Sequence, residues 1–339
     1  MQVTEHPFAQ YIKILGKGRN GSRALTRNEA YDAMSMFACY EAEPEQLGAF
    51  MSLMRMKEET PDELAGFSDA LRKTFAAPDT EQHVVIDWPV YAGKRRQLPW
   101  FILAALLLGR NGYTVFMHGL KRDDGRIYAE DALQALGIQN SNSLTTAVTR
   151  INQTGFAYMK IDKLSPVTAE MLQTRELLGL RSPVNTVARM LNPLTSSLMI
   201  QGIFHPNYAR LHQQAGSLLQ QPNLVAFRGE GGEAERVPDR SCKLSGITNN
   251  ELWEDEWEAL LPPGKYIHDK SLDLDHFIAV WEGRKEDVYA EMAVVGTIAI
   301  IFRTLGLTIN QKDSFSKAEQ LWHSRHASDV AASQACQGA

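Results

Sequence analysis

Cysteine is scarce in this 339-residue sequence, which contains only Cys39, Cys242 and Cys336. The three are widely separated, odd in number and without a CxxC pair, so the sequence excludes a disulfide framework and a thiolate zinc site. Reduced thiols are expected instead. Internal repeats are also missing, and only the last stretch, ASDVAASQACQGA, is biased enough to predict a frayed tail at 326–339.

Long apolar runs are missing as well. The longest, LPWFILAALLLG, is too short to cross a bilayer. The first residues, MQVTEHPFAQYIK, lack the basic segment followed by an apolar one that marks a secretory signal. With 44% hydrophobic and 22% charged residues, the composition is typical of globular proteins and predicts a cytoplasmic protein with no membrane partner.

An overall positive charge is lacking too, since the formal net charge is −5. This weighs against nucleic-acid binding, because many nucleic-acid-binding domains are strongly basic. The charges are segregated, however: neither Trp88–Arg122 nor Leu177–Gly229 contains an Asp or Glu, and together they hold ten Lys and Arg side chains. The field of a charge decays over about 8 Å at physiological salt, so local density can still focus anions on one side.

The first seventy-odd residues predict helices. Thr26 and Glu29 form one capping box, and Thr60 and Glu63 form a second with Pro61 at the first helical position. Beyond them, strand patterns (HVVID, YTVFMHG, FAYMKID, NLVAFR) alternate with helical ones. We therefore predict an α/β fold, a mainly parallel central sheet with helices on both faces, plus a smaller all-helical N-terminal domain. The predicted boundaries are 1–78 for the helical domain, joined by helices from about 165–185, and 82–325 for the α/β domain.

Two segments resemble anthranilate phosphoribosyltransferases, of glycosyltransferase family 3. Glu59–Gly66 matches an ETPxExAG signature, and LQTRELLGLRSPVNTVARMLNPL resembles the VRxxLGxRTxFNLLGPLxNP segment of these enzymes. The resemblance implies the same fold. It also implies an acceptor side at Arg175 and Asn185, and a remnant cleft that keeps His118 and Gly119 from a KHGNR motif.

The segments that hold the donor in those enzymes differ here. A GTGGDG loop, whose backbone N–H groups cradle a pyrophosphate, is replaced by PVYAGKRR, residues 89–96. With proline and tyrosine in place of glycines, the loop lacks the φ freedom to wrap a pyrophosphate closely. The segment resembling HGxDGLDE reads RGEGGEAE, which loses the aspartate at Ala234 and keeps Glu235. We therefore assign neither a metal nor a cofactor; Mg²⁺ and phosphoribosyl pyrophosphate follow only if the protein is a transferase.

The stretch IDWPVYAGKRRQLPWF resembles the YbiB type, a branch with the transferase fold that is known for nucleic-acid binding without the synthetic activity. This resemblance implies a homodimer formed through the N-terminal helices, with basic grooves that bind DNA or RNA largely regardless of sequence. The basic candidates for phosphate contacts are Lys94, Arg95, Arg96, Arg110, Lys121, Arg122, Arg126, Arg175, Arg181, Arg189 and Arg228.

Each candidate also has a plain structural explanation. Trp88 and Tyr91 are equally suited to stacking on bases or to packing, whereas Trp100 and Phe101 are better suited to the core. Lys94, Arg95 and Arg96 are too concentrated for burial, which leaves a solvated loop or anion contacts. His118 is expected to be structural, because no orienting carboxylate is near in sequence.

Two functions therefore stay open. One is sequence-independent binding of nucleic acid, preferably single-stranded, without catalysis. The alternative is a phosphoribosyltransferase that uses an aromatic amine acceptor. The lost glycines and Ala234 favour the first.

Overall fold

Four helices form the N-terminal part of the molecule. The computed structural model describes residues 4–18, 20–75, 83–265 and 271–326. The four helices are α1 (Ala9–Gly16), α2 (Arg27–Ala38), α3 (Pro44–Lys57) and α4 (Pro61–Arg72). Both predicted capping boxes are present, because the Thr26 and Thr60 hydroxyls accept from the N–H groups of Glu29 and Glu63. Local sequence alone thus fixes where α2 and α4 begin.

A seven-stranded sheet forms the centre of the rest of the chain, in the order β3-β2-β1-β4-β5-β6-β7. Strands β1 to β5 are parallel to one another, and β6 and β7 form an antiparallel hairpin at one edge of the sheet. The strands are β1 (Ile86–Val90), β2 (Val115–Gly119), β3 (Phe156–Lys160), β4 (Leu198–Ile203), β5 (Asn223–Arg228), β6 (Cys242–Thr248) and β7 (Glu251–Trp257). The predicted mainly parallel α/β fold is confirmed.

Helices cover both faces of this sheet. They are α5 (Phe101–Arg110), α6 (Ala129–Ala135), α7 (Leu144–Thr154), α8 (Ile161–Leu164), α9 (Pro166–Leu178), α10 (Val184–Val187), α11 (Tyr208–Leu218), α12 (Leu274–Trp281), α13 (Val288–Thr304) and α14 (Gln311–His323). Alternate residues of β2 show the two layers: Val115 and Met117 join a core with α5 and α13, whereas Phe116 joins a core shared with α1–α4. The helical domain thus completes the second face of the sheet.

The first strand lies later in the sequence than predicted. HVVID at 83–87 predicts the strand, but β1 runs through Trp88, Pro89 and Val90. Pro89 lacks an N–H, which normally keeps proline out of central strands. It is accommodated here because β1 pairs with β4 only at Ile86 and Asp87, before the proline.

Two arginines tie the helical domain to the sheet domain. At the end of α4, Arg72 donates through Nε to the Leu191 carbonyl at 2.9 Å and through Nη2 to the Met190 carbonyl at 2.8 Å. Arg27 donates to the Leu218 carbonyl at 2.9 Å and pairs with Asp69. In addition, α9 packs against α2 and α3. The boundaries at 78 and 82 stay a prediction.

Three further expectations concern the rest of the chain. Cys39 and Cys242 are free thiols, and burial raises the pKa of Cys242 to about 11. Cys336 and the predicted tail after His326 lie outside the described residues. Within the described ranges, no helix is both long and apolar enough to span a membrane.

Candidate functional site

Three loops meet at the carboxyl edge of the sheet. They are the β1 loop (residues 91–97), the β2 loop (residues 120–128) and the β5 loop (residues 229–235). Lys94 and Ile127 exchange two backbone hydrogen bonds, at 2.8 and 2.9 Å, which join the first two loops. Arg126 also donates to the Ala92 carbonyl at 2.6 Å. The predicted convergence of these strand ends is therefore present, as expected for a parallel sheet.

Carboxylates of the β5 loop occupy the backbone donors of the β1 loop. One oxygen of Glu233 accepts from Ala92 N at 2.7 Å and from Gly93 N at 2.6 Å. One oxygen of Glu230 accepts from Arg95 N at 3.1 Å and from Arg96 N at 2.7 Å. Successive N–H groups that converge in this way form an anion-binding nest. Here the anions are side chains of the protein itself.

Lys94 is buried, which corrects the expectation that three adjacent bases are all exposed. Its side chain is 0% exposed, and its Nζ lies 2.5 Å from Glu235 and 3.2 Å from Glu230. Burial by itself lowers the pKa of Lys94, but the charges of Glu235 and Glu230 outweigh it and the net pKa is raised. Lys94 therefore stays charged and neutralised inside the protein. The predicted positive surface loses its first member.

The residues at this edge do not fit a magnesium site. Glu235 is fully buried, pairs with Lys94 and accepts from Phe101 N at 2.8 Å. One oxygen of Glu233 accepts from two backbone N–H groups, the other is buried with no hydrogen-bond partner among the described residues, and Ala234 supplies no ligand. In the described part of the chain, no group of three His, Cys, Asp or Glu side chains has the arrangement for a metal ion. Mg²⁺ needs at least one or two free carboxylates besides substrate phosphates.

The aromatic residues of this edge are inside the protein. Trp88 is 0% exposed and Tyr91 8%, so neither presents a face to an unpaired base. The stacking role considered for these two is therefore wrong, because the strand extends through Trp88 and turns both rings into the core. Trp100 and Phe101 are also buried, as predicted.

His118 lies close to a carboxylate that is distant in the sequence, although the two groups make no hydrogen bond. Its Nε2 lies 3.2 Å from Asp87 on the neighbouring strand, and its Nδ1 lies 2.7 Å from the Tyr91 hydroxyl. The three side chains are buried, so they have no access to a substrate in solution. His118 is buried, as expected of a structural residue; no carboxylate is near it in sequence, and the fold brings Asp87 close to it in space. The next residue, Gly119, must be glycine: a Cβ there would lie 1.9 Å from the Val90 carbonyl oxygen.

Five arginines are grouped by their charges, because four of them act on the guanidinium of the fifth, Arg181. We call them the arginine cluster: Arg122, Arg126, Arg175, Arg181 and Arg189. Partial burial and the charges of the other four lower the pKa of Arg181. An array of like charges within mutual reach is costly unless an anion offsets it. Among the described residues, Arg175 and Arg181 have no ion-pair partner, and Arg181 is exposed.

The other three cluster members have partners within the protein, and for Arg189 these include the charge of Glu233. Arg122 lies 4.0 Å from Glu176, which is itself 71% exposed, and Arg126 lies 3.1 Å from Asp124. Arg189 is 5.9 Å from the centre of the Tyr91 ring and donates to the carbonyl of Asn185. The Asn185 amide donates to Ser182 O at 3.2 Å. Asn185 thus positions Arg189 from the turn that precedes it.

An open groove of about 1490 Å³ lies beside the arginine cluster. Arg95, Arg96 and Arg228 are exposed along it, and Arg126 lines it as well. Arg126 therefore belongs to both the cluster and the groove. The wall formed by β6 and β7 is acidic and includes Glu254 and Glu256, so the positive surface ends there.

Two predicted contact residues lie elsewhere or are neutralised. Arg110 ends α5 at the opposite edge of the sheet and stacks on Trp281 at 4.7 Å, so it does not belong to this site. Lys121 lies 2.5 Å from Asp131, and this hydrogen bond raises its pKa. Spacing along the chain shows neither fact. Helix α5 carries Arg110 from the carboxyl edge of the sheet to the opposite edge, and only the folded chain brings Asp131 to Lys121.

Comparisons with known proteins concern the fold. Residues 9–75 match the family described as glycosyl transferase family, helical bundle domain. The chain is 26% identical over 301 residues to the uncharacterized protein YbiB of Escherichia coli K12, covering 84% of this chain and 92% of that one. It is 23% identical over 316 residues to anthranilate phosphoribosyltransferase of Synechococcus sp. CC9311, covering 88% and 90%.

Solved structures give the same result for the fold. Anthranilate phosphoribosyltransferase from Thermus thermophilus superimposes with a TM-score of 0.76 at 19% identity, covering 94% of both chains. The Saccharomyces cerevisiae enzyme in complex with PRPP and Mg gives 0.77 at 16% identity, covering 95% of this chain and 94% of that one. The chain thus has the anthranilate phosphoribosyltransferase-like fold, with a helical N-terminal domain.

Proposed function

We propose that this protein binds nucleic acid, preferably single-stranded, through phosphate contacts of the arginine cluster and the adjoining groove, and that it makes or breaks no bond. The observation that carries the proposal is the exposed Arg181, which like Arg175 has no ion-pair partner in the described ranges, together with the groove lined by the exposed Arg95, Arg96 and Arg228. Phosphodiesters are the anions that repeat at a spacing able to satisfy several arginines at once.

The arrangement also accounts for binding by a protein with a net charge of −5. The cluster and the exposed Arg95, Arg96 and Arg228 line one edge, whereas acids gather on β7. Phosphate contacts carry no sequence information, so binding through this surface is expected to depend little on sequence and strongly on salt. No cofactor is part of this proposal.

A phosphoribosyltransferase is the second candidate, and the comparisons by themselves favour it. Relatives named anthranilate phosphoribosyltransferase cover most of the chain, and the solved structures of the fold are of that enzyme. Arg175 and Asn185 would then bind the acceptor, and phosphoribosyl pyrophosphate with Mg²⁺ would bind between the β1 and β5 loops. This function requires Glu233 and Glu235 to leave the buried partners described above, which is why we place it second.

Titration across a salt series tests the first proposal. Labelled single-stranded and duplex oligonucleotides are added to the wild type and to Arg175→Ala/Arg181→Ala, with phosphoribosyl pyrophosphate in a parallel titration. The plot of log K against log salt is expected to flatten by about 0.7 for each phosphate of a single strand that the variant no longer neutralises. Arg110→Ala, at the opposite edge, is the control and should keep the wild-type slope. Equal slopes for wild type and double variant would remove the cluster from the interface.

We also propose that the protein is a cytoplasmic homodimer, joined through its N-terminal helices. Large apolar side chains exposed on this part of the molecule support a dimer contact: Met56 is 83% exposed, Leu177 88% and Leu180 45%. Met56 lies near the end of α3, Leu177 lies in the last turn of α9, which packs against α3, and Leu180 follows two residues after the end of α9. Exposed apolar groups of this size are typical of protein–protein contacts. Light scattering of Leu177→Glu should then show a smaller particle than the wild type; equal particle masses would contradict the contact.

A further inference from the structure

Binding of single strands needs a group that reads an unpaired base, and the buried Trp88 and Tyr91 cannot do so. Phe204 is a better-placed aromatic residue. It follows the last residue of β4 at the carboxyl edge and is 46% exposed, on a stretch in which residues 204–207 are all exposed. An aromatic ring that is about half exposed at this edge is accessible to a ligand.

Basic side chains surround Phe204 on two sides. The residue before it, Ile203, is paired with Arg228 of the neighbouring strand β5, and Phe204 lines the same groove as Arg95, Arg96 and Arg228. On the other side, Gly232 lies between the backbone of Phe204 and Arg189 of the arginine cluster. A Cβ at Gly232 would lie 3.5 Å from the Phe204 nitrogen and 3.7 Å from Nη2 of Arg189. Phe204 thus lies where groove and cluster meet.

One neighbouring ring packs against Phe204. The imidazole of His205 packs against it at an interplanar angle of 89°, with the centroids 4.9 Å apart. Pro206 follows directly and restricts the backbone of the loop. A ring with a fixed orientation loses little conformational entropy when a second flat group packs on it. Phosphate-binding side chains beside an aromatic face are the two parts that single-strand binding sites combine.

We propose that Phe204 stacks on an unpaired nucleobase of a strand whose phosphates are held by the arginine cluster and by Arg95, Arg96 and Arg228. This rests on the proposed function and adds to it the preference for single strands. Every base has a flat face, so the contact distinguishes unpaired from paired bases and does not read sequence.

Paired variants at this position separate stacking from mere hydrophobicity. Phe204→Leu keeps an apolar side chain and removes the aromatic face, whereas Phe204→Trp keeps the face. The probes are an oligothymidine of about 16 nucleotides, the same strand with abasic sites throughout, and a blunt duplex. We expect Phe204→Leu to weaken oligothymidine binding by about 5- to 150-fold, while Phe204→Trp binds at least as tightly as the wild type. Binding of the abasic strand and the duplex should not change.

Ile309→Ala removes another exposed apolar side chain, 84% exposed, and serves as the control with wild-type affinity throughout. If Phe204→Leu binds oligothymidine as the wild type does, or weakens binding of the abasic strand equally, the stacking role is wrong while nucleic-acid binding stands. If the wild type binds none of the three probes, the proposed function and this inference both fail. Circular dichroism and melting of each variant establish that it is folded.

Discussion

Lys94 shows at the scale of one residue how burial changes the role of a basic side chain. It is the first of three consecutive bases, yet its ammonium is buried beside Glu235 and Glu230, while Arg95 and Arg96 are exposed. Desolvating an ion costs several kcal/mol, and close opposite charges offset this cost. The side chain therefore belongs to the structure of the edge rather than to its surface.

Removing this lysine is expected to lower stability rather than binding. Lys94→Met leaves Glu235 without its partner in a buried position, which should cost about 3–5 kcal/mol of unfolding free energy in a urea titration. The salt slope of nucleic-acid binding by the folded variant should match the wild type, because no exposed charge is removed. Arg95→Met is the matched variant: its stability should stay within about 0.5 kcal/mol of the wild type. A stable Lys94→Met would show that the pair is not closed in solution.

His212 gives the molecule a pH dependence. Burial, with a smaller contribution from the charge of Arg189, lowers the pKa of His212 to about 3, and its Nδ1 lies 3.0 Å from Oε1 of Gln201. The unfolded chain, with a pKa near 6.5, then binds a proton that the folded protein excludes. Stability from this residue is complete above about pH 6.5 and falls by about 1.4 kcal/mol per pH unit below it.

Chemical denaturation at pH 7.5 and 5.0 measures this effect. The decrease of unfolding free energy on acidification should be about 2 kcal/mol smaller in His212→Gln, whose amide does not titrate, than in the wild type. Other titrating groups are common to both proteins and cancel in the comparison. Equal decreases would mean that water reaches the imidazole and restores its ordinary pKa.

At the scale of elements, the β5 loop acts as a cap on the β1 loop. Glu233 and Glu230 together satisfy four backbone N–H groups that would otherwise be free to hold an anion. Burial raises the pKa of Glu233, whereas Arg189 and the two N–H groups act in the opposite direction. The backbone N–H groups of the β1 loop are therefore occupied by internal carboxylates and are closed to an external anion.

Opening this cap is expected to create a phosphate site. Glu233→Ala leaves the N–H groups of Ala92 and Gly93 without an acceptor, which should cost about 1–3 kcal/mol of stability. Inorganic pyrophosphate should raise the melting temperature of Glu233→Ala more than that of the wild type, because the variant has vacant donors besides the arginines that both proteins share. Glu233→Gln, which keeps one acceptor oxygen, is the matched control and should respond as the wild type does. A wild type stabilised by pyrophosphate as much as Glu233→Ala would contradict the closed edge.

At the scale of the whole molecule, the fold and the chemistry of its edge point in different directions. The helical domain and the sheet superimpose on phosphoribosyltransferases over most of the chain. A fold does not by itself determine activity, which depends on the groups at the site. Here the backbone N–H groups of the β1 loop are occupied by carboxylates, and exposed arginines such as Arg95, Arg96 and Arg181 lie at the same edge.

We accordingly expect no transferase turnover from the intact protein. With phosphoribosyl pyrophosphate, Mg²⁺ and anthranilate as substrates, the turnover number should lie far below the values of about 1–1000 per second that are typical of enzymes. Anthranilate fluorescence measures the reaction, with an authentic anthranilate phosphoribosyltransferase as the positive control. Turnover within the ordinary range would establish the second candidate function and show that the β5 loop opens when the donor binds.

Several features of the molecule could be predicted because they depend on neighbours along the chain. The capping boxes of α2 and α4, the apolar run of α5 and the glycine that ends β2 all follow from local chemistry. The missing glycines of the β1 loop are visible in the same way. Helical and strand periods in alternation were enough to predict the α/β fold.

Which charges are free could not be predicted, because it depends on packing between distant segments. Glu233 and Ala92 are separated by 141 residues, as are Lys94 and Glu235, and no pattern along the chain reports such pairs. The same holds for Asp87 beside His118 and for Arg110 at the opposite edge. Distance and desolvation decide whether a base is a surface charge or half of a buried pair, and the folded chain alone sets both.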